Sequence, residues 1–183
     1  MTAATTVKAP IPAGTWTIDT VHSTVGFSVK HLMVSKARGT FDNFSGTITV
    51  DENGTPAVQA EIDVTSINTK NQQRDGHIKS ADFFDAEKYP TATFVSTGVR
   101  ADGDDYKLDG DFTLKGVTKP VTLDLEFEGT NPGMGQGTVA GFEAKTVISR
   151  KEFGIDIDMP LEGGGVVLGD KITITLEIEA LQA

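Results

Sequence analysis

The chain has 183 residues, no cysteine and a formal net charge of −10, with a sequence pI of about 4.7. The length suits one domain with a substantial core, and the charge argues against nucleic acid, whose phosphates need a basic face, and against broad docking on anionic lipid. Without cysteine there are no disulfides, thiolate nucleophiles or Cys-ligated metals. Residues 1–13, rich in Thr, Ala and Pro, read as a flexible tail in which Pro10 and Pro12 block regular structure. The domain then spans 14–183. Met1 to Gly14 lacks the apolar core of a signal peptide and no later stretch could cross a bilayer as a helix, so a soluble, cytoplasmic protein without stable membrane insertion is expected.

From Gly14 the period is two. Val25, Phe27, Val29 and His31 alternate with Thr24, Gly26, Ser28 and Lys30. Phe44, Gly46, Ile48 and Val50 alternate with Ser45, Thr47 and Thr49, and Val58, Ala60, Ile62 and Val64 alternate with Gln59, Glu61 and Asp63. Such alternation marks strands with one face in and one face out. The stretch from Arg74 to Pro90 breaks it. Asn71 and Asp82 are good helix N-caps. The sequence therefore predicts a short helix from about Gln72 to Ser80, then a turn of helix begun by Asp82 and stopped by Pro90. Ile78, Phe83, Phe84 and Tyr89 are too apolar for a solvated loop and are expected to plug whatever the strands enclose.

Ala92 and Phe94 open the next strand, and Tyr106, Leu108, Gly110, Phe112 and Leu114 form another inner row. A tight return at Gly116 to Lys119 leads to Val121, Leu123, Leu125 and Phe127, reading as a hairpin. Ala140, Phe142, Ala144, Thr146 and Ile148 follow, and the last strand carries Ile172, Ile174, Leu176 and Ile178. Asn53-Gly54, Asp102-Gly103 and Asn131-Pro132-Gly133 supply turns. Roughly eight long strands of this kind close into an up-and-down barrel, which removes exposed edges, or stack as a β-sandwich; periodicity alone leaves both open. Inner positions are either small (Gly46, Ala60, Ala92, Gly110, Ala140, Ala144) or aromatic (Phe27, Phe44, Phe94, Phe112, Phe142). In a barrel this leaves space between aromatic walls, or lets small residues offset bulky neighbours in a dry core. An empty apolar cavity costs on the order of 20 cal/mol per Å³, so a natural one implies an occupant.

The ordered set of motifs resembles the YceI family of lipocalin-like proteins. It comprises Trp16-Thr17-Ile18-Asp19-Thr20-Val21-His22-Ser23, Val25 through His31, Arg38-Gly39-Thr40-Phe41, Arg74 through Asp82-Phe83-Phe84-Asp85 to Tyr89-Pro90-Thr91-Ala92-Thr93-Phe94, Leu114 through Leu123, Arg150 through Gly154, and Leu168-Gly169-Asp170. The resemblance covers about residues 14 to 182. It implies an all-β fold, an elongated eight-stranded antiparallel barrel with a short helical plug. It also implies a long apolar chain in the lumen, such as a polyisoprenoid, an isoprenoid quinone or a fatty amide, with no other cofactor. Many relatives are exported, whereas no leader is visible here.

On this reading the lumen is lined by Phe27, Val29, Phe44, Ile48, Ile62, Phe94, Phe112, Leu114, Phe142 and Ile148, and is plugged by Ile78, Phe83 and Phe84. His31 shares the parity of Phe27 and Val29 and meets a headgroup or is a satisfied core histidine. Arg38, Arg74 and Arg150 grip a pyrophosphate or quinone oxygen at the mouth, or bridge to Asp75, Asp82, Asp85 or Glu152. His22 and His31 have opposite parity and no HxH or HExxH spacing exists, so no metal is expected; His22 instead fixes a strand bend. Gly133-Met134-Gly135-Gln136-Gly137 lacks the ending of a phosphate loop and reads as a hairpin loop, and Gly163-Gly164-Gly165 as a mobile one. The sequon at Asn43-Phe44-Ser45 lies within a strand and is discounted. No nucleophile context stands out. A carrier or store for a long-chain lipid is the expected function. The alternatives are an enzyme acting on a lipid head near His31 and Arg74, or a packed-core interaction barrel. The pattern leaves a homodimer open.

Overall fold

The alternation becomes an antiparallel meander in the computed structural model, which describes residues 7–157 and 167–183. The strands are β1 (Gly14–Ile18), β2 (Thr24–His31), β3 (Ser35–Phe41), β4 (Phe44–Val50), β5 (Pro56–Asp63), β6 (Ile67–Asn68), β7 (Thr91–Asp102), β8 (Asp105–Leu114), β9 (Val117–Asn131), β10 (Val139–Ser149) and β11 (Leu168–Gln182), with one helix, α1 (Gln72–Lys79). β1 and β2 are two halves of one strand. β1 pairs with β4 and β2 with β3, while both pair with β11. β3 and β4 are likewise halves of the second strand, and β5 and β6 of the third. Counted so, eight antiparallel strands follow in chain order, and β11 closes the ring on β1 and β2. The fold is thus an up-and-down barrel and not a sandwich.

The breaks have local causes. The Asp19 carboxylate accepts from the Val21 N–H at 2.9 Å and lies 2.8 Å from His22 Nδ1, so the bend between β1 and β2 is held by side chains, with His22 at the position expected. The Asp63 carboxylate accepts from the Thr65 N–H and caps a 3-10 turn at Val64–Ser66, between β5 and β6. In both places a carboxylate takes an amide that a continuous strand would offer its neighbour. Between β8 and β9, Lys115 and Gly116 have φ of 51° and 74°, the left-handed pair that a two-residue hairpin demands.

One end of the barrel is covered by α1 and the residues after it. The Asn71 side chain caps α1 by accepting from the Arg74 N–H, as expected. The turn of helix predicted after Asp82 is not formed. The Ser80 carbonyl accepts from both the Phe83 and Asp85 N–H groups, and Asp82 turns its carboxylate to His77 Nε2 at 3.1 Å, so 81–84 fold as turns. Tyr89 packs over Gly116 and takes no part in the plug.

The other end is covered by residues 7–13, where a flexible tail was expected. The Val7 N–H donates to the Val99 carbonyl at 3.0 Å and the Ala9 N–H to the Gly54 carbonyl at 2.8 Å. Trp16 Nε1 donates to the Pro12 carbonyl at 3.1 Å, and Ile11 is buried with Trp16. An apolar anchor and backbone bonds hold this strap in place of the missing sheet partners. Between the ends, buried side chains fall into three clusters: one under the plug around Phe83 and Phe153, one above the strap around Trp16, and one at mid-barrel around Phe94 and Leu108. The outer face alternates to Ser, Thr, Lys, Asp and Glu, the reverse of an apolar-out membrane barrel, and among the described residues no helix is long and apolar enough to cross a membrane. The Gly163–Gly165 stretch lies outside the described residues.

Candidate functional site

The three clusters surround a cavity of about 430 Å³, within the usual range of ligand sites. Its lining starts at Pro10 and Ile11 beneath the strap and ends at Ile78, Phe83 and Phe84 beneath the plug. On β11 it runs from Leu168 to Ile178. At roughly 3.3 Å per residue and a strand tilt of about 40°, that is about 25 Å along the axis. Phe27, Val29, Phe44, Ile48, Ile62, Phe94, Phe112, Leu114, Phe142 and Ile148 all line it. Ile18, Ala37 and Phe41 do so as well, though they belong to strand halves that the sequence reading passed over. Phe41 joins Phe27 at 5.6 Å and Phe84 at 6.1 Å between ring centroids, linking wall to plug.

The small inner residues do three different things. At Gly46 a Cβ would lie 2.4 Å from Ile18 Cδ1, and Ala140 is packed against Trp16; there small residues offset large ones. At Gly110 a Cβ would lie 2.3 Å from Phe94 Cζ, and at Gly39 2.6 Å from Phe27 Cζ. These glycines let a ring from the adjoining strand lie against the wall and stay out of the bore. Ala60, Ala92 and Ala144 face the cavity directly.

The histidines and arginines of the lining sit at the plug end: His31, Arg74, His77 and Arg150, beside Thr69. Arg74 Nε donates to Thr69 Oγ1 at 2.8 Å and Nη2 to the Thr69 carbonyl at 2.7 Å, while Asp75 accepts from the Thr69 N–H and hydroxyl. Arginine, threonine and aspartate thereby clamp the start of α1 to the end of β6. Arg150 is 3% exposed. Its guanidinium donates to the carbonyls of Ile155, Ile157, Leu168 and Gly169 at 2.8–3.1 Å, tying together the two ends of the connection from β10 to β11. Beside it burial works against the Asp170 carboxylate, but hydrogen bonds from the Ser149 hydroxyl and the Lys151 N–H outweigh that and hold its pKa below the ordinary value. Arg38 does not reach the mouth. It stands opposite Ser28 in the β2–β3 pairing, on the outward parity, and is exposed. Thr69 was missed because a lone threonine outside a strand row carries no periodic signal.

Among the described residues two clusters with metal-ligand chemistry lie outside the cavity: the exposed Glu126, Glu128 and Glu143, and the group of Asp19, His22 and Glu179. His22 Nδ1 is 2.8 Å from Asp19 Oδ2 and 4.0 Å from Glu179 Oε1. The hydrogen bond to Asp19 raises the His22 pKa, and the same bond lowers that of Asp19. It reads as the latch on the first strand break.

Residues 16–180 match the model of the YceI-like domain. The chain is 46% identical over 140 residues to Protein YceI of Escherichia coli O17:K52:H18, covering 75% of this chain and 73% of that protein. It is 38% identical over 167 residues to a UPF0312 protein of Staphylococcus aureus strain USA300, covering 90% and 95%. Among solved structures, the Campylobacter jejuni YCEI protein superposes with a TM-score of 0.72 at 32% identity over 84% of this chain and 90% of that one. A polyisoprenoid binding domain from Saccharophagus degradans shares the fold, with a TM-score of 0.69 at 16% identity over 92% and 98%.

Proposed function

Because this chain belongs to the YceI-like domain family, we propose that it is a binding protein, not an enzyme, which holds one long apolar chain along its barrel axis and stores or carries it. A polyisoprenoid, an isoprenoid quinone or a related lipid suits the lumen. The observation that carries this reading is the continuous apolar bore from Ile11 to Phe84, with its histidines and arginines at one end only. That polarity matches an amphiphile entering tail first, its head left near His31, Arg74 and His77. The solved domain of like fold that is described as polyisoprenoid binding supports the class of ligand.

Burial alone supplies the affinity. Each CH₂ moved from water into the bore contributes about 0.8 kcal/mol, roughly fourfold in Kd, against the ordering of chain and protein. A series of isoprenoid alcohols of increasing length, titrated by calorimetry, should bind more tightly with each unit until the bore is filled and then level off. Affinity independent of chain length would refute the reading.

A further inference from the structure

We propose that the β2–β3 hairpin tip is a docking foot for an anionic lipid bilayer, which would be the surface from which the lumen is loaded; the loading role rests on the lipid-binding reading above, the docking does not. Leu32, Met33 and Val34 form the tip and are 42%, 50% and 87% exposed. Elsewhere among the described residues the large exposed apolar side chains are isolated ones, such as Val21 and Met134. The tip is a three-residue loop between the paired His31 and Ser35, in which the Val34 N–H donates to the His31 carbonyl at 3.2 Å. Leu32 and Met33 have φ of 51° and 63°, a conformation that favours Asn-Gly and disfavours large side chains. Two bulky apolar residues are therefore held in a disfavoured backbone with about half of their surface left in water. Inserted at a bilayer interface they would gain burial.

Charge selects the bilayer over other apolar partners. In a chain of net charge −10, no Asp or Glu occurs between Asp19 and Asp42, while Lys30, Lys36 and Arg38 do. Lys30 stands directly opposite Lys36 and Arg38 opposite Ser28, all on the outer face just behind the tip. None has an ion-pair partner among the described residues. At the far rim Glu126 is crowded by Asp105, Glu128 and Glu143, which raise its pKa. A negative surface would thus attract the hairpin end and repel the opposite one. The foot also adjoins the bore. His31, one residue before the tip, lines the cavity, and the Leu32 N–H donates to the carbonyl of Val167, another lining residue.

The test is co-sedimentation of the full chain with vesicles of phosphatidylcholine alone or with a third phosphatidylglycerol, at low and high salt. The expected result is binding to the anionic vesicles that weakens as salt is raised. Lys30→Gln and Lys36→Gln should each lower partitioning about fivefold. Leu32→Asn/Met33→Gly should abolish it while leaving the melting temperature unchanged or higher, since the turn then has its preferred residues. No binding by the parent, or equal binding by these variants, would overturn the proposal. A water-soluble short isoprenoid titrated into the same proteins keeps the two readings apart. Uptake unchanged in a variant that has lost the vesicles supports separate foot and bore. Vesicle binding without any isoprenoid uptake would refute the lumen reading and leave the foot standing.

Discussion

Phe94 keeps out of the bore because residue 110 has no Cβ. An added methyl there would meet Phe94 Cζ at 2.3 Å and the Val95 carbonyl at 2.8 Å, and the backbone on one side cannot yield. Gly110→Ala should therefore destabilise the barrel by about 1–3 kcal/mol, as overpacking does, and should also weaken binding of long isoprenoids by turning Phe94 inward; urea melts and calorimetry read the two effects separately. A second residue-scale prediction concerns the latch at the first strand break. Asp19, with its pKa below 3.8, gives stability that is full above 3.8 and lost as pH falls through the lowered value. His22, with its pKa above 6.5, gives stability that is full below 6.5 and lost as pH rises through the raised value. The contribution is thus greatest between about pH 4 and 6.5. His22 is exposed and Asp19 only half-buried, so the effect is small. His22→Gln should flatten the fall in melting temperature from pH 6 to pH 9, and an identical fall in the variant would show that the latch does not act.

At the scale of elements, the barrel is stoppered at both ends by segments outside its sheet. The plug carries Asn71, whose cap bond is visible in sequence as an Asn before a non-alternating run. The strap is held by backbone bonds and by Ile11, its buried apolar anchor. Ile11→Ala should cost about 2–5 kcal/mol and raise amide exchange over residues 7–13; exchange confined to its parental level would mean the strap is held by its backbone bonds alone. The inward rows were legible because a period of two turns facing into counting, which is why Phe27 through Ile148 fall where parity places them. The same count puts Arg38 outward with Ser28, so that signal was present and was set aside for its chemistry. Other features were not legible. The Trp16 and Phe41 halves belong to broken strands: beside Trp16 the bend depends on Asp19 taking the Val21 amide, and beside Phe41 on Ser66 taking the amides of Asp42 and Asn43. Arg74 and Arg150 are expected from sequence to grip a headgroup or to bridge to nearby acids; among the described residues Arg74 donates to Thr69, and Arg150 to main-chain carbonyls that the closed fold brings together.

For the whole molecule, the account turns on a tube whose side chains stop short of filling it. Three buried clusters instead of one, rings drawn back over Gly39 and Gly110, and alanines at mid-wall together leave the bore open from strap to plug. The lining histidines and arginines gather at the end that also carries the exposed hairpin tip, so the proposed headgroup site and the proposed docking foot lie on the same side. Ala144, 6% exposed and facing the cavity at mid-length, is the place to close it. The most direct measurement is mass spectrometry of organic extracts from the purified parent and from an Ala144→Phe variant of unchanged circular dichroism. The parent should yield a long-chain isoprenoid or quinone-like lipid in near-stoichiometric amount and the variant almost none. A parent free of such lipid that also fails to take up added prenyl chains, or a variant carrying as much as the parent, would contradict the account.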